Sequence, residues 1–299
     1  MDCKEKLSGV FIPLTTPFAS EKIVFSLLAE NIKRYNDTQL KGYMILGGNG
    51  EYLGLTEEES LKIINTAVKN MEGSKTVVVG AGRESAYATL EFIKKAADNG
   101  AELASIITPF YYVNLMNDEA LIRYYTKIAE QSPLPLIIYN SPAYAAGVTI
   151  STKIVSELSQ HTNIVSMKNS SSESIKRYIG SISSGSTFSI HVGRVARLYE
   201  GMSEGAVGAT LSIANYLPEL CCEAFQSFTS GNTEKSKELC DKLGRINKAV
   251  SPNGVPGVKY AMSLMGISGG ETRLPLLPLN REKQALIDGC LHEEGLYKI

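Results

Sequence analysis

Eight short runs rich in β-branched and apolar residues punctuate the chain: GVFIPL (Gly9–Leu14), YMIL (Tyr43–Leu46), TVVVG (Thr76–Gly80), LASII (Leu103–Ile107), LIIY (Leu136–Tyr139), IVSMK (Ile164–Lys168), FSIHV (Phe188–Val192) and VGATL (Val207–Leu211). They recur at intervals of roughly 20 to 33 residues, the spacing of strand–helix units. Between them the apolar positions step by three and four, as in Phe25, Leu28, Ile32 and Tyr35. The same step links Leu61, Ile64, Val68 and Met71, then Leu121, Tyr124, Tyr125 and Ile128, then Ile175, Tyr178, Ile179 and Ile182. That period predicts helices with one buried face. Thr56-Glu57-Glu58-Glu59 reads as a capping box, with the third helical residue able to return to the cap amide. Strands that are continuously apolar are buried on both faces, so the pattern predicts an α/β fold, a closed (β/α)8 barrel of parallel strands. An open, doubly wound parallel sheet is the competing architecture.

Past residue 215 the strand pattern stops. Leu217–Thr229, Thr233–Val250 and Val255–Met265 predict three further helices, separated by Ser-Gly-Asn and Ser-Pro-Asn-Gly turns. The run RLPLLPL is too rich in proline for a helix or an inner strand. The expected organisation is a barrel over residues 1–215 with a C-terminal helical appendage over 216–299.

Composition narrows the function classes. Thirty Lys and Arg offset thirty-one Asp and Glu among 299 residues, of which 43% are apolar. Such a balance supplies no basic field for nucleic acid and no polybasic patch for a membrane surface, so neither is an expected partner. Five cysteines without C-x-x-C spacing and three separated histidines predict neither a disulfide framework nor a metal site. The opening MDCKEKLSG lacks the apolar run of a secretory signal, and no eighteen consecutive residues are apolar. The expectation is a soluble, cytoplasmic protein. Gly80-Ala81-Gly82-Arg83-Glu84-Ser85 imitates a dinucleotide fingerprint, but Ser85 stands where Gly or Ala belongs. No ribose-reading acid follows at the expected distance, so a tight strand-to-helix turn is the better reading.

In a parallel barrel, reactive groups collect at the C-terminal ends of strands. Thr15 and Thr16 follow the first run, Gly47-Gly48-Asn49-Gly50-Glu51 the second and Thr108-Pro109-Phe110-Tyr111-Tyr112 the fourth. Tyr139-Asn140 closes the fifth, Lys168-Asn169 the sixth, Gly193-Arg194 the seventh and Ser212 the eighth. Lys168 either faces solvent or enters the barrel mouth, where desolvation favours the neutral amine that attacks carbonyls. Tyr139, on the neighbouring strand, either shuttles protons for that amine or caps the core. The Gly47–Gly50 loop is either a plain turn or a nest of backbone amides for a carboxylate or phosphate. Arg194 is either a contact for a distal carboxylate or hydroxyl, or a surface arginine opening a helix. Amine, phenol and anion cradle on one rim suggest Schiff-base chemistry on a 2-keto acid.

In order and spacing, GVFIPLTTPF, GGNGEYLGLT, TPFYY, IIYNSP, SMKNSS, GVKYAM and SGGETRLPLLPL resemble the dihydrodipicolinate synthase / N-acetylneuraminate lyase family over nearly the whole chain. The resemblance implies a class I pyruvate-dependent lyase, usually a homotetramer built as a dimer of dimers. It needs no cofactor, the covalent imine forming through Lys168. Tyr139 would relay protons, Gly48 and Asn49 would bind the keto-acid carboxylate through their amides, and Tyr111 would be lent across a subunit interface. Ser212 matches a serine that contacts substrate in the lyases, and Thr16 is a further candidate contact. Two departures point away from the lysine-precursor synthases: Gly48-Asn49 replaces their Thr-Thr pair, and the Pro142–Gly147 stretch carries no arginine. Val195 and Ala196 replace the acidic pair of the sialic-acid lyases. The G-x-N-G-E loop looks most like that of aldolases cleaving 4-hydroxy-2-oxoglutarate or 2-keto-3-deoxy sugar acids. Retro-aldol cleavage is therefore the expected reaction, with dihydrodipicolinate synthase activity on pyruvate and aspartate semialdehyde, a dehydratase on the same imine and a non-catalytic keto-acid-binding barrel as alternatives.

Overall fold

Every residue of Thr76–Gly80 and of Leu103–Ile107 is buried, as strands covered on both faces require. The computed structural model describes residues 3 to 296; the outermost ends of the two expected regions, residues 1–2 and 297–299, lie outside the described residues. In chain order the strands are β1 (Gly9–Pro13), β2 (Phe18–Ala19), β3 (Lys22–Ile23), β4 (Gly42–Ile45), β5 (Thr76–Gly80), β6 (Leu103–Ile107), β7 (Leu136–Asn140), β8 (Ile164–Asn169), β9 (Ser189–Val192) and β10 (Gly208–Thr210). The helices are α1 (Cys3–Leu7), α2 (Phe25–Asn36), α3 (Glu57–Asn70), α4 (Ala86–Asp98), α5 (Asp118–Gln131), α6 (Thr152–Leu158), α7 (Ile175–Ile179), α8 (Leu198–Ser203), α9 (Pro218–Thr229), α10 (Thr233–Val250), α11 (Gly254–Leu264) and α12 (Arg281–Glu293). Eight strands close into a barrel in the order β1-β10-β9-β8-β7-β6-β5-β4, so the closed architecture holds and the open sheet does not. Among the described residues no helix is long and apolar enough to cross a membrane.

By contact density the chain divides into two compact units, Met1–Gly9 with Thr76–Thr210, and Val10–Lys75 with Leu211–Ile299. The helices α9 to α12 fall in the same unit as β2 to β4.

The expected capping box is present. Thr56 Oγ1 accepts from the Glu59 amide at 3.2 Å and Glu59 Oε2 accepts from the Thr56 amide at 2.9 Å. The buried face of α3 is Ser60, Ile63, Ile64 and Ala67, rotated from the expected stripe, so that Leu61 and Val68 are only half-buried. Three features escape the apolar pattern. The hairpin β2–β3 turns through Ser20 and Glu21, both in the left-handed region (φ 47° and 65°), a turn that usually advertises itself by Asn-Gly. The helix α12 buries only Ile287 and Leu291, too few positions to reveal a period, although Asn280 caps it. The short α1 likewise buries Leu7 alone. The Gly80–Ser85 segment is a tight turn: a Cβ at Gly82 would lie 3.1 Å from the Ile107 amide nitrogen, and Ser85 caps α4.

Candidate active site

Lys168 and Tyr139 occupy the ends of adjacent parallel strands and stand in register across the β7–β8 ladder. Residues paired in this way present their side chains on the same face. The Lys168 Nζ lies 4.1 Å from the centre of the Tyr139 ring, within cation–π range. Lys168 is only 7% exposed, which excludes the solvent-facing alternative, whereas Tyr139 keeps partial access to solvent. Burial by itself pushes the Tyr139 phenol up, but the Lys168 charge, with the neighbouring Ser141 and Ser170 hydroxyls, outweighs it and holds the phenol below its ordinary value.

The next residue on each strand points the other way and fixes the strand ends. Asn140 Nδ2 donates to Asn169 Oδ1 at 3.0 Å and to the Tyr178 hydroxyl at 3.1 Å, while its Oδ1 accepts from the Ile150 amide at 3.0 Å. Asn169 Oδ1 also accepts from Ser171 Oγ, and its Nδ2 donates to the Glu173 carbonyl. Gly193 allows the approach, since a Cβ there would fall 2.0 Å from Ser170 Oγ and 2.9 Å from the Asn169 carbonyl. On the far side of β8, His191 of β9 is in register with Lys168. Burial pushes its imidazole down to about 4, against a hydrogen bond to the Leu7 carbonyl, and Lys168 pushes the same way as burial. His191 is therefore neutral near pH 7.

In the same unit, the Glu84 carboxylate accepts from the amides of Phe110 and Tyr111, the latter at 3.0 Å, and so shapes the loop after β6. Tyr111 is 75% exposed, and its ring meets Tyr112 edge-on at 5.0 Å. Arg194 is exposed and opens the short 3-10 turn Val195–Arg197.

The other unit carries the glycine loop. After β4, Gly48–Gly50 forms a 3-10 turn in which the Gly50 and Glu51 amides donate to the Gly47 and Gly48 carbonyls, each at 3.0 Å. As at any helix start, the first amides, those of Gly48 and Asn49, have no partner within the turn, and among the described residues they donate to nothing. Thr16 Oγ1 donates to the Gly50 carbonyl at 2.8 Å, and Ser212 Oγ donates to Asn49 Oδ1 at 3.2 Å. Asn49 Nδ2 is shielded from solvent and has no hydrogen-bond partner among the described residues. The turn thus leaves two backbone amides open, with a spare side-chain donor beside them.

Lys168 and Tyr139 are thus brought together in one unit, and Gly48, Asn49, Thr16 and Ser212 in the other, while Tyr111 and Arg194 project outward. Sequence reasoning passed over Ser141, Ser170 and His191, because a hydroxyl or imidazole is assigned a role only by what it touches. It also passed over Glu51 and Lys259, a fully buried ion pair, although both lie in stretches that carried the family resemblance.

A model of the dihydrodipicolinate synthetase family matches residues 6–293. A 4-hydroxy-tetrahydrodipicolinate synthase from Thermotoga neapolitana is 31% identical over 297 residues, covering 96% of this chain and 99% of its own. One from Methanothrix thermoacetophila is 30% identical over 288 residues, covering 95% of each. Among solved structures, dihydrodipicolinate synthase from Thermotoga maritima matches with a TM-score of 0.91 at 29% identity, over 97% of this chain and 99% of the other. A monomeric dihydrodipicolinate synthase variant matches with a TM-score of 0.92 at 28% identity, over 99% of both chains.

Proposed function

Since the chain belongs to the dihydrodipicolinate synthetase family and is a carbon–carbon lyase of the class I, pyruvate-dependent type, we propose that it cleaves a 4-hydroxy-2-oxo acid to pyruvate and an aldehyde. The substrate would be 4-hydroxy-2-oxoglutarate or a 2-keto-3-deoxy sugar acid. The observation that carries this reading is the buried Lys168 amine against the Tyr139 ring. The keto-acid carboxylate settles on the open amides of Gly48 and Asn49, and the Lys168 amine attacks C2, losing water to give an imine. The protonated imine accepts the electron pair of the C3–C4 bond, so cleavage yields an enamine instead of a free carbanion. Tyr139 takes the C4 hydroxyl proton as that bond breaks. The enamine is then protonated at C3, and water releases pyruvate from Lys168.

A Cβ at Gly48 would meet nothing within 4 Å, so no side chain occupies the place of the synthases' loop hydroxyl. Thr16 and Ser212 are engaged with Gly50 and Asn49. The hydroxyls at the Tyr139 phenol are those of Ser141 and Ser170, and these take over the relay. Tyr111, exposed in the single chain, is available to a neighbouring subunit of a homotetramer.

A second reading, condensation of pyruvate with aspartate semialdehyde, is favoured by the names of the synthases reported above. Intact mass after incubation with pyruvate and borohydride tests the chemistry common to both: a gain of about 72 Da on the wild type and none on Lys168→Ala is expected. A folded wild type without that gain would exclude the Schiff base. Pyruvate release from a panel of 4-hydroxy-2-oxo acids, set beside consumption of aspartate semialdehyde, then separates the two reactions.

A further inference from the structure

The turn proposed to hold the substrate carboxylate has a charged support buried behind it. Lys259 of α11 and Glu51, the residue that follows the Gly48–Gly50 turn, form an ion pair of 2.6 Å with side chains only 3% and 5% exposed. Besides that pairing with Glu51 Oε1, the Lys259 ammonium donates to the Thr16 carbonyl at 2.7 Å and to the Glu271 carbonyl at 2.5 Å. The second Glu51 oxygen accepts from the Arg273 amide at 2.9 Å. Glu51 itself sits in the left-handed region at φ 53°, a conformation unfavourable for a residue with a Cβ, so something must hold it there. Thr16 ties the arrangement back to the turn through its hydroxyl on the Gly50 carbonyl.

A buried ion pair adds little stability relative to an apolar replacement, while one charge left alone is costly. A pair kept in such a place therefore invites a role besides stability. Resting on the reading that the Gly48 and Asn49 amides receive the keto-acid carboxylate, we propose that Glu51 and Lys259 are positioning residues that hold those amides in the orientation that selects an anionic substrate. Neither touches substrate. Lys259 fixes Glu51 and the Thr16 carbonyl, Thr16 fixes the Gly50 carbonyl, and the amides between them are left pointing outward.

The test is borohydride trapping on Lys168 with pyruvate and with the uncharged pyruvamide, in the wild type, Glu51→Gln, and Glu51→Gln with Lys259→Met. The double substitution removes both charges together, so a folded protein remains if the lone buried cation in the single variant proves too costly. The adduct is expected to form still in the variants. Its half-saturating pyruvate concentration rises at least about tenfold, equivalent to ~1.4 kcal/mol, and the preference for pyruvate over pyruvamide falls by a similar factor. Loss of melting temperature with an unchanged pyruvate/pyruvamide preference would make the pair merely structural and overturn the proposal. Absence of any adduct on the wild type would instead remove the Schiff-base reading, and the proposal with it.

Discussion

His191 offers a quantitative test of how the barrel interior treats charge beside Lys168. Its imidazole is depressed from an ordinary value of 6.5 to about 4, chiefly by burial. As pH falls below 6.5 the unfolded chain takes up a proton at this residue, whereas the folded chain resists until about pH 4. The unfolded state thus binds more protons, and stability is lost progressively from pH 6.5 down toward 4, with nothing lost above that window. Working from those two values, the loss at pH 5 is ~2 kcal/mol, rising to ~3 kcal/mol once both states are protonated. For a chain of 299 residues, whose unfolding entropy is about 0.6 kcal/mol/K, ~2 kcal/mol corresponds to roughly 3 °C. The substitution is His191→Gln, which keeps a donor for the Leu7 carbonyl and does not titrate. Melting temperatures at pH 7.5 and pH 5.0 are compared for the two proteins. Carboxylates and the other histidines contribute alike to both, so the wild type is expected to fall about 3 °C further than the variant. An equal fall would refute the reasoning, because it would mean that the folded protein protonates His191 as readily as the unfolded chain does.

Tyr139→Phe is expected to slow pyruvate release by ~10² to 10⁴-fold while leaving borohydride trapping on Lys168 detectable, since the phenol moves a proton and does not form the imine. Gly48→Thr is expected to leave the melting temperature within about 1 °C, because a Cβ there meets nothing within 4 Å and a surface change of this kind costs at most ~0.5 kcal/mol. If the loop hydroxyl is what distinguishes the synthases, the same variant gains activity on aspartate semialdehyde, read as its pyruvate-dependent consumption. Gly193→Ala drives a Cβ to 2.0 Å from Ser170 Oγ and 2.9 Å from the Asn169 carbonyl, and overpacking of this kind costs about 1–3 kcal/mol. It should lower the denaturation midpoint and, by shifting the end of β8, the trapping rate on Lys168.

The apolar runs are sufficient to place the strands because a strand buried on both faces leaves no freedom in its composition. Thr76–Gly80 and Leu103–Ile107 are read to the residue, and the other barrel strands to within one or two. Helices with a wide buried face are legible for the same reason, Thr233–Val250 to the residue. Where little is buried, the pattern is silent, as for α12, or local backbone geometry overrides it, as in the Ser20–Glu21 turn. The strand-end rule found Lys168, Tyr139 and the glycine loop, since it asks only which polar residue follows a buried run.

What surrounds those residues was decided by the fold. Register across β7, β8 and β9 aligns Tyr139, Lys168 and His191, although 52 positions of chain separate the outer two. Burial then makes the imidazole neutral, and the lysine charge, acting against burial, holds the phenol below its ordinary value. The Glu51–Lys259 pair joins residues more than two hundred positions apart. Amino-acid order by itself determined the barrel, because burial of a strand is written in its own residues. Only the tertiary structure decided protonation and support of the site, because those depend on which distant groups come within a few ångströms and on how much water is excluded between them.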